Sequence, residues 1–197
     1  MNARLNILIV GVGGQGVLTS SNIIARAAMR KGMNVLTSET HGMAQRGGSV
    51  EVHVRIGDVH SPLIPFGSAD IVIALEPVEA LRYAHYMNEN TMIILNSRKI
   101  KPTTVNVGLA EYPEIEEIIE RLKTVTEKIK VVDASAIAEK VARVQATNVV
   151  VLGMLAKVLE GRFLTLEDLE YGVRAFLPER LVEINLKALK AGYESLS

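Results

Sequence analysis

Apolar positions along this chain follow two rhythms, and the change between them divides it near residue 133. The first part holds short, near-continuous apolar runs set between turn residues. Residues 5–10 form one such run, broken only by Asn6, and it stops at Gly11-Val12-Gly13-Gly14-Gln15-Gly16. Residues 17–31 then space their apolar side chains as a helix does, with Gly32 as the stop signal. Residues 34–38 form a second run, giving strand, loop, helix, strand in under 40 residues.

The same reading continues along the chain. Positions 49–57 alternate, with Val50, Val52, Val54 and Ile56 on one side and Glu51, His53 and Arg55 on the other, so a strand with one polar face is predicted. Residues 69–75 (ADIVIAL) read as a strand covered on both faces. Pro77 suits the first turn of a helix over 78–86. Further strands are predicted at 91–95, 103–107 and 131–132, with an acidic-fronted helix at 114–123. Beyond Asp133 the pattern is helical: 134–144, 147–160, a helix capped by Thr165 and Asp168 running to Phe176, and a last one begun by Pro178. The expected fold is α/β, a three-layer Rossmann-like sandwich with a largely parallel sheet and a helical C-terminal segment. It is read as a single domain over 1–197, with the α/β core in about 1–133.

Composition then removes several functions. Lys plus Arg number 22 and Asp plus Glu 22, so no electrostatic case exists for a nucleic-acid or membrane partner. There is no cysteine, hence no disulfide, thiol nucleophile or cysteine-held iron–sulfur cluster or zinc in this chain. The first apolar run is too short for a signal-peptide core or a membrane span, and a cytoplasmic location is expected.

Two loops carry candidate chemistry. Gly11, Gly13 and Gly16 fit G-x-G-x-x-G between a strand and a helix, where glycines allow a tight turn and the helix start offers unpaired N–H groups to an anion. Thr19 adds a hydroxyl in the first turn, while Gly14 and Gln15 are additions an ordinary dinucleotide loop does not require. Glu39 stands 23 positions past Gly16, where a ribose-binding acid belongs. The same glycines would also serve helix–strand packing alone. The second loop, THGMAQRGG at 40–48, gathers His41, Arg46, Gly47 and Gly48. Arg46 offers a planar fork to a carboxylate or phosphate, or else pins the loop by pairing with Glu39 or Glu51. Both loops follow strands, so they are expected side by side at one sheet edge.

GVGGQGVLT at 11–19 followed by RGGSVEVHVRIG at 46–57 resembles the gamma-type domain of the 2-oxoacid:ferredoxin oxidoreductases. The intervening ETHGMAQRGG resembles the arylpyruvate branch, the beta subunits of indolepyruvate:ferredoxin oxidoreductases. The resemblance implies a holoenzyme that oxidatively decarboxylates arylpyruvates with CoA, giving aryl-acetyl-CoA and carbon dioxide and reducing ferredoxin. It further implies that thiamine diphosphate, Mg²⁺ and iron–sulfur clusters reside in a large alpha subunit, and that the chain alone is inactive. On this reading Gly11, Gly13, Gly14, Gln15, Gly16, Thr19, Glu39, His41, Arg46, Gly47 and Gly48 face an anionic ligand or the large subunit. The alternatives are a stand-alone NAD(P)-binding oxidoreductase and a module that senses a nucleotide or acyl-CoA.

Overall fold

A computed structural model describes residues 4–41 (backbone only at His41), 48–101, 105, 108, 111–159 and 161–196. In order, the elements are β1 (Arg4–Val12), α1 (Val17–Arg30), β2 (Val35–His41), β3 (Ser49–Gly57), β4 (Ile71–Ala74), α2 (Pro77–Arg82) and β5 (Met92–Asn96). They continue as α3 (Ile115–Lys123), β6 (Ile129–Val132), α4 (Ala134–Val141), α5 (Thr147–Leu159), α6 (Leu166–Phe176) and α7 (Glu179–Glu194), with 3-10 turns at Ala84–Tyr86 and Val144–Ala146. The strand expected at 103–107 lies outside the described residues except for Val105, whose backbone is helical. No helix is long and apolar enough to cross a membrane among the described residues.

The six strands lie in the order β2-β3-β1-β4-β5-β6, and only β3 runs against the others. Helices cover both faces. On one, α1 and α4–α7 bury Ile7, Ile9, Val52, Val54 and Ile73; on the other, α2 and α3 bury Leu8, Val10, Val72 and Leu95. Helix α5 is sequestered almost from end to end, as its unbroken apolar sequence requires. It meets α7 at backbone distance, because a Cβ on Gly153 would lie 1.9 Å from the Leu189 carbonyl and one on Gly192 1.8 Å from that of Val150. The capping box of Thr165 and Asp168 opens α6 as the sequence predicts.

The polar face expected on β3 is not solvated. His53 is completely buried and Arg55 nearly so, because the segment between β3 and β4 folds back over them. The Arg55 guanidinium donates to Asn6 Oδ1 (2.9 Å) and to the carbonyls of Ser61 (2.7 Å) and Leu63 (3.1 Å). His53 Nδ1 accepts the Ile64 N–H at 3.1 Å, which leaves the neutral ring's proton on Nε2, 3.9 Å from Glu51 Oε1. Met29 is 59% exposed on α1.

Burial, with repulsion from Arg55, pushes the His53 imidazole down to about 4. The unfolded chain therefore takes up a proton between pH 6.5 and 4 that the folded chain refuses. The resulting stability is fully present above about pH 6.5 and is lost as pH falls to 4, a change of about 3 kcal/mol. Glu51 is raised by its own burial and titrates in the opposite sense. Comparing His53→Gln with the parent chain thus isolates the imidazole, and urea midpoints from pH 7 to 4 should fall less steeply in the variant. Parallel slopes would show that His53 does not titrate this way.

Candidate functional site

The first glycine loop is the turn between β1 and α1. Gly14 and Gly16 have φ of 99° and 79°, a backbone region closed to most side chains, and Gly16 is the N-cap of α1. A glycine cap brings no side-chain acceptor, so the N–H groups of the first turn of α1 have none from their own cap. The Gly16 carbonyl is held from three sides, by Ser20 N–H (2.9 Å), Ser20 Oγ (3.0 Å) and Asn148 Nδ2 (3.2 Å). Asn148, buried at the start of α5, also reaches Ser20 Oγ at 3.3 Å.

Gln15 holds the other side of the loop. Its Oε1 accepts from Val12 N–H (2.8 Å) and its Nε2 donates to the Leu75 carbonyl (2.8 Å), linking the ends of β1 and β4. The structure turns this side chain inward. A Cβ on Gly11 would stand 2.7 Å from Gln15 Oε1, so a larger residue there would have to displace the carboxamide.

The two glycine loops do meet. Gly13 N–H donates to the Gly48 carbonyl at 2.8 Å, and the register aligns Gly11 with Val50 and Val50 with His41. Just beyond Gly48, the Ser49 hydroxyl donates to the buried Glu79 carboxylate and lies 2.8 Å from Tyr83 Oη, fixing this end of the loop to α2. Arg46, Gly47 and the His41 side chain lie outside the described residues. Glu39 is not brought to the glycine loop. It is exposed on β2, and β3 separates β2 from β1, two strand spacings or about 10 Å.

A cleft of about 520 Å³ opens beside the start of α1, lined by Gly14, Gly16 and Thr19 on one side and by Leu177, Leu181 and Ile184 on the other. Arg143 and Gln145 stand at it, and Gln145 with Gly14 also borders a smaller cleft of about 210 Å³ towards Arg98. Sequence reasoning passed over Arg143, Gln145 and the role of Asn148. The one signal was a lone polar residue opening the apolar run TNVVVLGML. No group of three His, Asp or Glu suited to a metal occurs among the described residues, and no cysteine exists in the chain.

The profile described as Pyruvate ferredoxin/flavodoxin oxidoreductase matches residues 6–195, and the chain belongs to that family. It is 62% identical to a protein of Archaeoglobus fulgidus named Indolepyruvate oxidoreductase subunit IorB, covering 96% of this chain and 94% of that one. A Methanothermobacter thermautotrophicus protein of the same name is 43% identical, over 95% of each. Among solved structures, pyruvate oxidoreductase subunit PORC of Thermotoga maritima superimposes with a TM-score of 0.70 at 25% identity, over 97% of this chain and 96% of that one.

Gly16→Ala should destabilise the chain by at least the roughly 1–2 kcal/mol of a left-handed alanine. The added Cβ would also lie 2.7 Å from Asn148 Nδ2. Part of the cost should return in the Gly16→Ala/Asn148→Ala pair, with a coupling of about 1 kcal/mol by denaturant melts. Strict additivity would mean the two residues do not oppose each other.

Proposed function

We propose that this chain is the subunit of an indolepyruvate (arylpyruvate):ferredoxin oxidoreductase that carries neither cluster nor thiamine cofactor. The observation that carries this is 62% identity over nearly the full length of a protein named for that activity, against 25% for the pyruvate oxidoreductase subunit. The holoenzyme decarboxylates an arylpyruvate with CoA to aryl-acetyl-CoA and passes the electrons to ferredoxin, in the cytoplasm.

This chain's residues do not fit the redox groups. Iron–sulfur clusters need thiolates, and there are none. Nor is there a Gly-Asp-Gly with a following Asn to hold Mg²⁺ and thiamine diphosphate, since Gly57-Asp58 is followed by Val59. Those groups belong to the large alpha subunit, and the isolated chain is inactive. Its own part is the surface made by Gly11–Gly16, Thr19 and the Arg46–Gly48 loop, which faces the large subunit or an anionic ligand shared with it. The neighbouring cleft has backbone donors and Arg143 at one wall and aliphatic side chains at the other, which suits a ligand with an anionic end and an apolar arm.

The stand-alone dinucleotide enzyme is not favoured, because Glu39 lies two strands from the loop. The chain used as bait in an anaerobic native extract should bring down an iron-containing large subunit, and the eluate should reduce a dye with CoA and indolepyruvate or phenylpyruvate. A chain recovered without iron or activity would refute the subunit reading. In the reassembled complex, Arg46→Ala should lower turnover at least tenfold while leaving this chain's melting curve unchanged. Normal turnover would remove Arg46 from the working surface.

A further inference from the structure

The glycine loop has the form of a dinucleotide fingerprint, yet one of its side chains, Gln15, narrows the place where a dinucleotide would lie. In a doubly wound sheet the ligand crosses the crevice where the strand order reverses, with its pyrophosphate at the start of the first helix. Here that point lies between β1 and β4. The chain leaves β1 through α1 towards β2, and leaves β4 through α2 towards β5. We propose that Gln15 is a specificity-determining residue whose carboxamide occupies the floor of this crevice, where the cleft lined by Gln15 and Leu75 measures about 210 Å³, and keeps dinucleotides off the glycine loop.

The two lips of the crevice are the backbone of Val12 and of Leu75, and Gln15 is bonded to both at 2.8 Å. Its oxygen faces Gly11 so closely that a Cβ there, 2.7 Å away, would require the carboxamide to shift. Asn96 Nδ2 donates to the same Leu75 carbonyl at 3.1 Å, so the site is tied from β5 as well. A carboxamide matches these lips because it presents one acceptor and one donor. A pyrophosphate presents acceptors alone. It would satisfy Val12 N–H but would set its charge against the Leu75 carbonyl, and it would first have to displace a side chain making two good bonds. With Glu39 carried away by β3, that carboxylate does not stand at the ribose position to offset the displacement. Specificity here is obtained by obstructing an abundant competitor rather than by improved contacts to a preferred ligand. The inference holds whether or not the chain is an arylpyruvate oxidoreductase subunit.

The test uses the full chain with NAD⁺ and ADP-ribose as probes. The parent protein should show no ligand-dependent rise in melting temperature at millimolar probe. Gln15→Gly and Gln15→Ala, checked for native circular dichroism, should gain a shift that grows and saturates with concentration. In the parent protein, the Val12 amide and the Gln15 side-chain amide resonances should not move when NAD⁺ is added, a measurement that needs no variant. A concentration-dependent shift of the parent protein, or movement of those two resonances, would overturn the proposal. So would folded Gln15→Gly and Gln15→Ala proteins that respond no more than the parent.

Discussion

Nine residue pairs join β1 to β3, from Arg4 with Gly57 to Val12 with Ser49, and that single antiparallel ladder arranges much else in the molecule. By entering between β1 and β2, β3 becomes a central strand and is covered on both faces. Its polar side chains must then find partners inside. Arg55 does so at the Ser61 and Leu63 carbonyls, and His53 does so through Nδ1 at the Ile64 amide, while its Nε2 makes no hydrogen bond among the described residues. Leaving those groups unbonded in the interior would cost more than the bonds return in net stability. The overlying segment is therefore anchored by the strand it covers.

The same insertion sets the chemistry at the sheet's upper edge. A parallel β1–β2 neighbour pair would have placed Glu39 next to the glycine loop. With β3 between them, the neighbour of Gly13 is Gly48, and the second loop ends against the first. The glycine loop itself is held from below by Gln15 and from behind by Asn148. Its hydrogen-bonding capacity is partly consumed in fixing its own shape. The larger opening, about 520 Å³, reaches the start of α1 from the side of α5 and α7, against about 210 Å³ at the Gln15–Leu75 crevice.

The chain belongs to the pyruvate ferredoxin/flavodoxin oxidoreductase family and contains no cysteine. Electron transfer through clusters requires soft thiolate ligands, and this sequence contains none. The tight α5–α7 crossing through Gly153 and Gly192 gives the helical layer a rigid backbone contact behind the cleft.

Periodicity and punctuation alone determined most of the elements, because these are local properties. The run at 5–10, the stop at Gly32, the Thr165–Asp168 cap and the apolar α5 all report backbone preferences or burial that neighbouring residues decide. The glycine loop and its left-handed cap were legible for the same reason. What tertiary structure decided was strand order, and with it every consequence of β3's position. The alternation of Glu51, His53 and Arg55 looks like a solvated face until another segment lies over it, and no local pattern announces that cover. Glu39 has the right spacing but the wrong neighbour. Gln15 and Asn148 acquired their roles only when partners 60 and 132 residues away came within hydrogen-bond reach. Spacing along a chain fixes which face of an element a residue occupies; which element stands opposite is settled only by how the sheet is threaded.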